Sequence, residues 1–487
     1  MKFSLRLNAV LKIFLSVLNI LIPFFVGPYI IRILSRNSYD LYTKAAVEIQ
    51  LFLALVTGAI YVYGIRTISK IRQDKEKVSL FFSELFIIGL FFNIFFLVFY
   101  FLYTRFVNHS PESIYYIFML QFIGTAFQVE WLNEAEENYL FITLKSLFIK
   151  GGYLAAIFLF VRADNLLRYG LIVSLTNVAD SLVSFIYLYR KNKMSFRNLN
   201  LKRHLKKVFL AFLITNISLL YVQTDKIMLG LLISDAAVAA YTIPNYIVTS
   251  LYNIVISIFV VAIPRLTSLL HNKKTEEYKT LYNELVQAFL MIFIPILFYM
   301  FINAEELIVL YAAGKYNDSI VPLRLSTIYI FFNSLVYIQR EGVLYLSERE
   351  RPIIVCNLLG GLFNLLSNTV LSFLNHFNPV TAIVTLIISY VLVTILLRIY
   401  ISKKITPKLK LVNLRILSYF LFSFPMILIA AFLSLFKLSR LAYLAASLVI
   451  FIGVYSMLLI IFKDRIFLDN LKTSYLKVKN FLRRKKE

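Results

Sequence analysis

Long apolar runs broken by short polar turns follow one another along the whole chain. Fourteen can be counted, at roughly 9 to 34, 42 to 64, 80 to 104, 114 to 133, 139 to 161, 168 to 189, 208 to 233, 239 to 264, 281 to 303, 321 to 341, 352 to 374, 379 to 400, 414 to 436 and 441 to 462. A helix that crosses a bilayer needs about 20 apolar residues at about 1.5 Å of rise each, and every run is of that order. Barrel strands would instead be short, with apolar and polar residues alternating. The pattern predicts an all-α integral membrane protein of about 14 transmembrane helices.

The runs carry a faint duplication. Ser35, Tyr42, Thr43, Arg66 and Ser69 recur 199 residues later as Ser234, Tyr241, Thr242, Arg265 and Ser268, without a gap. Further on, Gln128 and Glu130 recur at an offset of 211 as Gln339 and Glu341. A shared order over two stretches of about 200 residues predicts a duplicated unit, and hence two six-helix lobes in a pseudo-twofold repeat. The expected divisions are an N-lobe over 1–190, a cytoplasmic basic linker over 191–207, a C-lobe over 208–401, two extra helices over 402–462 and a basic tail over 463–487. The tail reads as an amphipathic helix lying on the inner leaflet, with Phe467, Leu471 and Phe481 among its apolar residues.

Composition excludes an ordinary soluble globule, because 60% of the 487 residues are hydrophobic and only 16% are charged. A net charge of +25 would in a soluble protein suggest nucleic acid. The distribution redirects that inference. With the N-terminus in the cytoplasm, 38 of the 51 lysines and arginines fall in inner segments and 7 in outer turns. Such a bias orients membrane helices, so both termini are expected in the cytoplasm, the basic loops touch anionic headgroups, and no nucleic acid is expected as a partner.

Little in the chain points to catalysis. One cysteine, Cys356, excludes a disulfide within the chain and a cysteine-based metal cluster. His109, His204, His271 and His376 read as scattered loop residues without metal-ligand spacing. No phosphate loop or nucleophile elbow is present. The longest outer segment, about 304 to 320, is too short to house the active site of a membrane glycosyltransferase or polymerase.

The segments VGPYIIRILSRNSYDLY, GIRTISKIRQDKEKVS, QVEWLNEAEENYLFITLKS, QTDKIMLGLLIS and VVAIPRLTSLL resemble the polysaccharide repeat-unit flippases, the O-antigen, capsule and exopolysaccharide transporters of bacteria. These lie in the superfamily of multidrug, oligosaccharidyl-lipid and polysaccharide exporters. The likeness runs through about residues 8 to 350, and Ser35 and Asp40 stand where that pattern has glycine. The resemblance implies alternating access, a cargo of undecaprenyl pyrophosphate carrying an oligosaccharide, passage from the inner to the outer leaflet of the bacterial cytoplasmic membrane, and neighbours such as a polymerase or a chain-length regulator. An H+ or Na+ gradient is expected to drive it, with no cofactor. A small-molecule exporter of the multidrug type is the alternative on the same fold, and the excess of basic over acidic residues in the spans favours an anionic cargo.

Ionisable residues within spans are candidates by default, because hydrocarbon penalises them. Arg66 and Arg265, at equivalent ends of the second and eighth runs, are expected either to capture phosphate as guanidinium forks or to anchor the cytoplasmic surface. Arg324 and Lys44 either meet the pyrophosphate or snorkel outward, and Lys145 and Lys150 are positioned to line an inner cavity. Asp225 and Lys226 are adjacent and so point about 100° apart on a helix. Each needs its own partner, as an ion-coupling or substrate contact or as a structural tie. Glu130 is expected to gate or to hold loop 134–138, and Trp131 beside it reads as an interfacial anchor.

Overall fold

Eleven helices among the described residues are long and apolar enough to cross a membrane, and each coincides with one of the expected runs. The computed structural model describes residues 5–71, 73–107, 113–216, 221–405, 409, 414–469 and 471–472, and these contain helices and turns without a strand. The first run forms α1 (Leu5–Ile33). It is followed by α2 (Arg36–Ile71) and α3 (Lys75–Leu102), which ends in a π turn, Tyr103–Val107. The fourth run is broken into α4 (Ser113–Ala126) and the short α5 (Glu130–Ala135). Then come α6 (Tyr139–Phe160), α7 (Leu166–Lys191), and the seventh run as α8 (Lys202–Asn216) and α9 (Val222–Leu232).

The chain continues through α10 (Asp235–His271), α11 (Thr275–Ile302), α12 (Ala304–Ala312) and α13 (Ile320–Gln339), which runs into a second π turn at Arg340–Leu344. Helices α14 (Arg351–Phe373), α15 (Pro379–Lys404), α16 (Leu414–Ser423), α17 (Pro425–Ser434) and α18 (Arg440–Ile461) complete it. Large apolar side chains such as Phe91, Phe148, Phe373 and Leu428 stand exposed on these helices. Water tolerates such a surface poorly and lipid accepts it, so the chain is a multi-pass membrane protein.

Two helices outgrow the bilayer. Helix α2 has 36 residues and α10 has 37, so each is about 55 Å long against a hydrocarbon core of about 30 Å. The expected second run, 42 to 64, is therefore only the middle of α2. Both helices begin in the same way: Ser35 Oγ accepts from the Ser38 amide at 3.2 Å, and Ser234 Oγ accepts from the Ala237 amide at 3.2 Å. A serine ahead of the first turn satisfies a donor that has no partner within the helix. The glycine expected at position 35 is not needed, because neither Ser35 nor Asp40 has a positive φ.

The chain divides into two compact units, one of residues Met1–Thr242 with Leu365–Pro379 and the other of Ile243–Asn364 with Val380–Glu487. Within the first, α4 packs on α7, α2 on α3 and α8, and α1 on α6. Trp131 is buried in this unit rather than interfacial: its indole meets Phe81 and Phe82 edge to face. Within the second, α11 packs on α13 and α16, and α17 on α18. Tyr299 Oη donates to the Leu444 carbonyl at 2.7 Å and Tyr455 Oη to the Met291 carbonyl at 2.8 Å, so α18 is fastened to α11 at two levels. In the second π turn, Tyr278 Oη donates to the Gly342 carbonyl at 2.7 Å. Of the expected tail helix, Phe467 lies in a short turn of helix, and its amide donates to Asp464 Oδ1 at 2.9 Å. Residues 473–487, with Phe481, lie outside the described residues.

Candidate functional site

Among the described residues, the ionisable side chains of the spans do not form one site, and four groups stand out in the first unit. The most enclosed holds Lys145 of α6. Its Nζ lies 2.9 Å from Asp180 Oδ2, 3.2 Å from Glu130 Oε2 and 2.9 Å from Ser184 Oγ, and Ser184 Oγ in turn donates to Glu130 Oε2. The break between α4 and α5 is what turns Glu130 toward α6 and α7. Two carboxylates therefore compensate Lys145, which is oriented by protein groups and is not presented as a free cation. Lys150, half-buried one turn and more along α6, lies in the field of Asp180 and Lys145.

The second group is centred on Asp225, which is fully buried. Tyr241 Oη donates to its Oδ2 at 2.8 Å and Asn368 Nδ2 to its Oδ1 at 2.7 Å. Each oxygen thus accepts from a neutral side chain, an arrangement that holds the carboxylate in place. Lys226, the next residue, is half-buried on α9 and lies in the field of Asp225. Asn368 comes from α14, 143 residues away, and no local signal in the chain marked it.

The third group joins Lys44 to Asp235, Nζ to Oδ1 2.8 Å. Gly230 lies beside it: a β carbon there would be in ordinary contact with the Lys44 stem, at 3.5 Å. One turn along α2 is Glu48, buried, with both oxygens lacking a hydrogen-bond partner.

The fourth group lies at the C-terminal end of α2, beside residues 191–207. Arg66 is exposed on α2 and lines a groove of about 500 Å3 together with Tyr63, Thr67, Lys70 and Lys207. Lys70 stands one turn beyond Arg66 and Lys207 comes from α8, so three basic side chains converge. Beneath them a buried clamp ties the basic linker to α3. Glu84 Oε2 meets Arg203 Nη2 at 2.6 Å and His204 Nε2 at 2.8 Å, and its Oε1 accepts from the Asn200 amide at 2.8 Å. Tyr63 Oη lies 2.8 Å from His204 Nδ1. His204 Nε2 faces the Arg203 Nε–H as well, at 2.9 Å, so the imidazole is held between Tyr63 on one side and the Glu84–Arg203 pair on the other. Burial pushes the His204 imidazole below its ordinary pKa, the Glu84 carboxylate pulling the other way. His204 is therefore a helical, buried residue rather than a loop one. Lys191 and Asn192 hold Glu136 at 2.5 and 2.9 Å, so both ends of residues 191–204 are tied down.

In the second unit Arg265 is exposed on α10, directly after Pro264, and Arg324 is half-buried on α13. Glu341, the repeat partner of Glu130, pairs with Arg340 at 3.0 Å, and the Arg340 guanidinium lies 5.4 Å from the Tyr337 ring. The two copies of the repeated Gln-x-Glu share a place where regular helix stops: α5 begins at Glu130, and the π turn begins at Arg340.

The family described as polysaccharide biosynthesis protein matches residues 6–270. A protein of Escherichia coli (strain K12), provisionally named as an O-antigen transporter, is 23% identical over 281 residues, 55% of this chain and 66% of that protein. The chain thus spans slightly less than two thirds of that relative's length. Among solved structures, the lipid II flippase MurJ in an inward closed conformation superposes with a TM-score of 0.69 at 14% identity, over 94% of this chain and 99% of that one. The eukaryotic MATE transporter AtDTX14 gives a TM-score of 0.49 at 13% identity, over 85% and 95%. The first of these likenesses establishes the fold, a MurJ-like bundle of about 14 transmembrane helices.

Proposed function

Because the chain belongs to the polysaccharide biosynthesis protein family, whose pattern matches residues 6–270, we propose that it is a flippase for lipid-linked oligosaccharide. In this reading it turns undecaprenyl pyrophosphate bearing a sugar repeat unit from the inner to the outer leaflet of the bacterial cytoplasmic membrane, by alternating access driven by an ion gradient. Both termini lie in the cytoplasm, and the work is transport rather than bond formation.

The observation that carries the reading is the cationic groove at the inner end of α2 and α8, lined by Arg66, Lys70 and Lys207. A pyrophosphate offers several anionic oxygens, and planar guanidinium beside flexible ammonium groups meets them with charge-assisted hydrogen bonds. Arg265 at the matching end of α10 is the proposed second capture point, with Lys150, Lys226 and Arg324 meeting the cargo at deeper or outer levels. Lys44 and Lys145, paired with carboxylates here, take part by exchanging those partners. Asp225, held by two neutral donors, is the proposed ion-coupling group, and Glu130 is the group that keeps Lys145 poised.

Restoration of export tests the proposal. In cells that assemble a lipid-linked repeat unit but lack their own flippase, this protein is expected to restore surface polysaccharide. Arg66→Ala with Lys207→Ala should reduce that export with the protein at normal levels in the membrane. A protein that leaves glycan export unrestored while extruding cationic dyes would replace this reading with the multidrug one.

A further inference from the structure

Glu48 sits in the N-terminal part of the apolar stretch of α2, about 2% exposed, and neither carboxylate oxygen has a hydrogen-bond partner. The groups that face it are few. Tyr103, from the π turn after α3, and Tyr115, from α4, present phenols toward it, and Tyr100 lies nearby on α3. The charged groups in reach are Lys44, on its own helix, and Asp235, at the start of α10. Lys44 is turned to Asp235, at 2.8 Å. Taking an ionised carboxylate out of water into an apolar interior costs far more than burying its neutral acid, and that acid can donate to a phenol oxygen. A π turn, a geometry often found at functional positions, sets the phenol of Tyr103 in place.

Lys44 and Glu48 are four residues apart, the spacing at which opposite charges on one helix face can meet. Lys44 therefore has two carboxylates in reach and pairs with one. We propose that Glu48 is a proton-binding site and that Lys44 is its switch: while Glu48 holds a proton Lys44 pairs with Asp235, and when the proton leaves Lys44 turns to Glu48 and releases the start of α10. In the releasing step the carboxyl O–H bond breaks, the proton passes to water, and the negative charge left on Glu48 is met by the ammonium of Lys44, which stays charged throughout. This names the coupling ion as H+ and so rests on the transport reading above.

Infrared spectroscopy of the full-length protein in lipid nanodiscs reads the proton directly and independently of any cargo. At pH 7 the wild type minus Glu48→Gln spectrum should contain a carboxylic-acid carbonyl band that bleaches at higher pH. Identical spectra in that region would overturn the proposal. Asp235→Asn, which releases Lys44 to Glu48, should move the bleaching to lower pH by about one unit or more, and an unmoved titration would remove the switch. In the export assay Glu48→Gln should lose about tenfold at normal membrane levels, and export at the wild-type rate would sink the coupling role. A band present in a protein that restores no glycan export would instead retain the proton site and end the flippase reading. Should Glu48→Gln fail to fold, Glu48→Asp serves the same subtraction by shifting the band.

Discussion

Gly64 lies against the face of Trp131: a β carbon built on it would come within 2.6 Å of the indole ring. The contact lets α2 and α5 approach, and the indole is enclosed by Phe81 and Phe82 so that it has nowhere to retreat. Gly64→Ala should therefore destabilise the protein by about 1–3 kcal/mol, the usual range for overpacking. Gly151→Ala and Gly152→Ala, where nothing lies within 4 Å, should leave stability level or raise it, since alanine is the better helix former. Thermal unfolding in one detergent compares the three, and equal loss at all of them would refute the packing argument.

Lys145 makes a second prediction. Its side chain is 3% exposed and sits between Glu130 and Asp180. Lys145→Met leaves two carboxylates facing each other, and breaking a buried pair on one side typically costs about 3–5 kcal/mol. Asp180 is 41% exposed, so solvent screening should bring the loss toward or below the lower end. Adding Glu130→Gln should recover part of it, and a double variant no more stable than Lys145→Met would argue against charge as the cause.

The clamp on Glu84 should respond to acid. Burial holds the His204 imidazole below its ordinary value of 6.5, so the unfolded chain takes up a proton at a higher pH than the folded one. Stability is then full above about pH 6.5 and falls as pH drops below it. The melting midpoint of the wild type should decline between pH 7.5 and 5.5 more steeply than that of His204→Gln. Parallel profiles would mean that His204 does not titrate in this way.

Asp225 separates transport from stability. Asp225→Asn keeps the volume and loses at most one of the two hydrogen bonds to Tyr241 and Asn368, about 1–2 kcal/mol. If the negative charge couples an ion, export should fall by about tenfold or more in a protein that still folds. Wild-type export by Asp225→Asn would leave the carboxylate a structural role only.

The duplication offers a fifth test and marks how far the chain could be read unaided. Ser35 and Ser234 are 199 residues apart and cap equivalent long helices at the same 3.2 Å. Ser35→Ala and Ser234→Ala should each cost about 1 kcal/mol, seen as two similar drops in thermal midpoint. Such features were legible because hydropathy, caps and repeated residues are local in sequence. The fourteen runs emerged for the same reason, since lipid imposes one length on every crossing segment.

What escaped the sequence depends on partners far apart in the chain. Glu84 meets Arg203 and His204 across 119 and 120 residues, and Asp225 finds Asn368 across 143. His204 looked like a loop residue because the lysines and arginines around it hide its buried helical face. Trp131 looked interfacial because its sequence neighbours are polar, and only the gap at Gly64, 67 positions earlier, draws it inside.

The fastening of residues 191–204 has a practical meaning for anyone who wishes to engineer this protein. In the primary structure that stretch looks like the obvious seam for a reporter, a tag or a split. Each of its ends grips a carboxylate, and prying it loose would strand Glu84 in an apolar surrounding. The turn at 272–274, exposed and with Lys273 already in the left-handed region, is the better place to open the polypeptide.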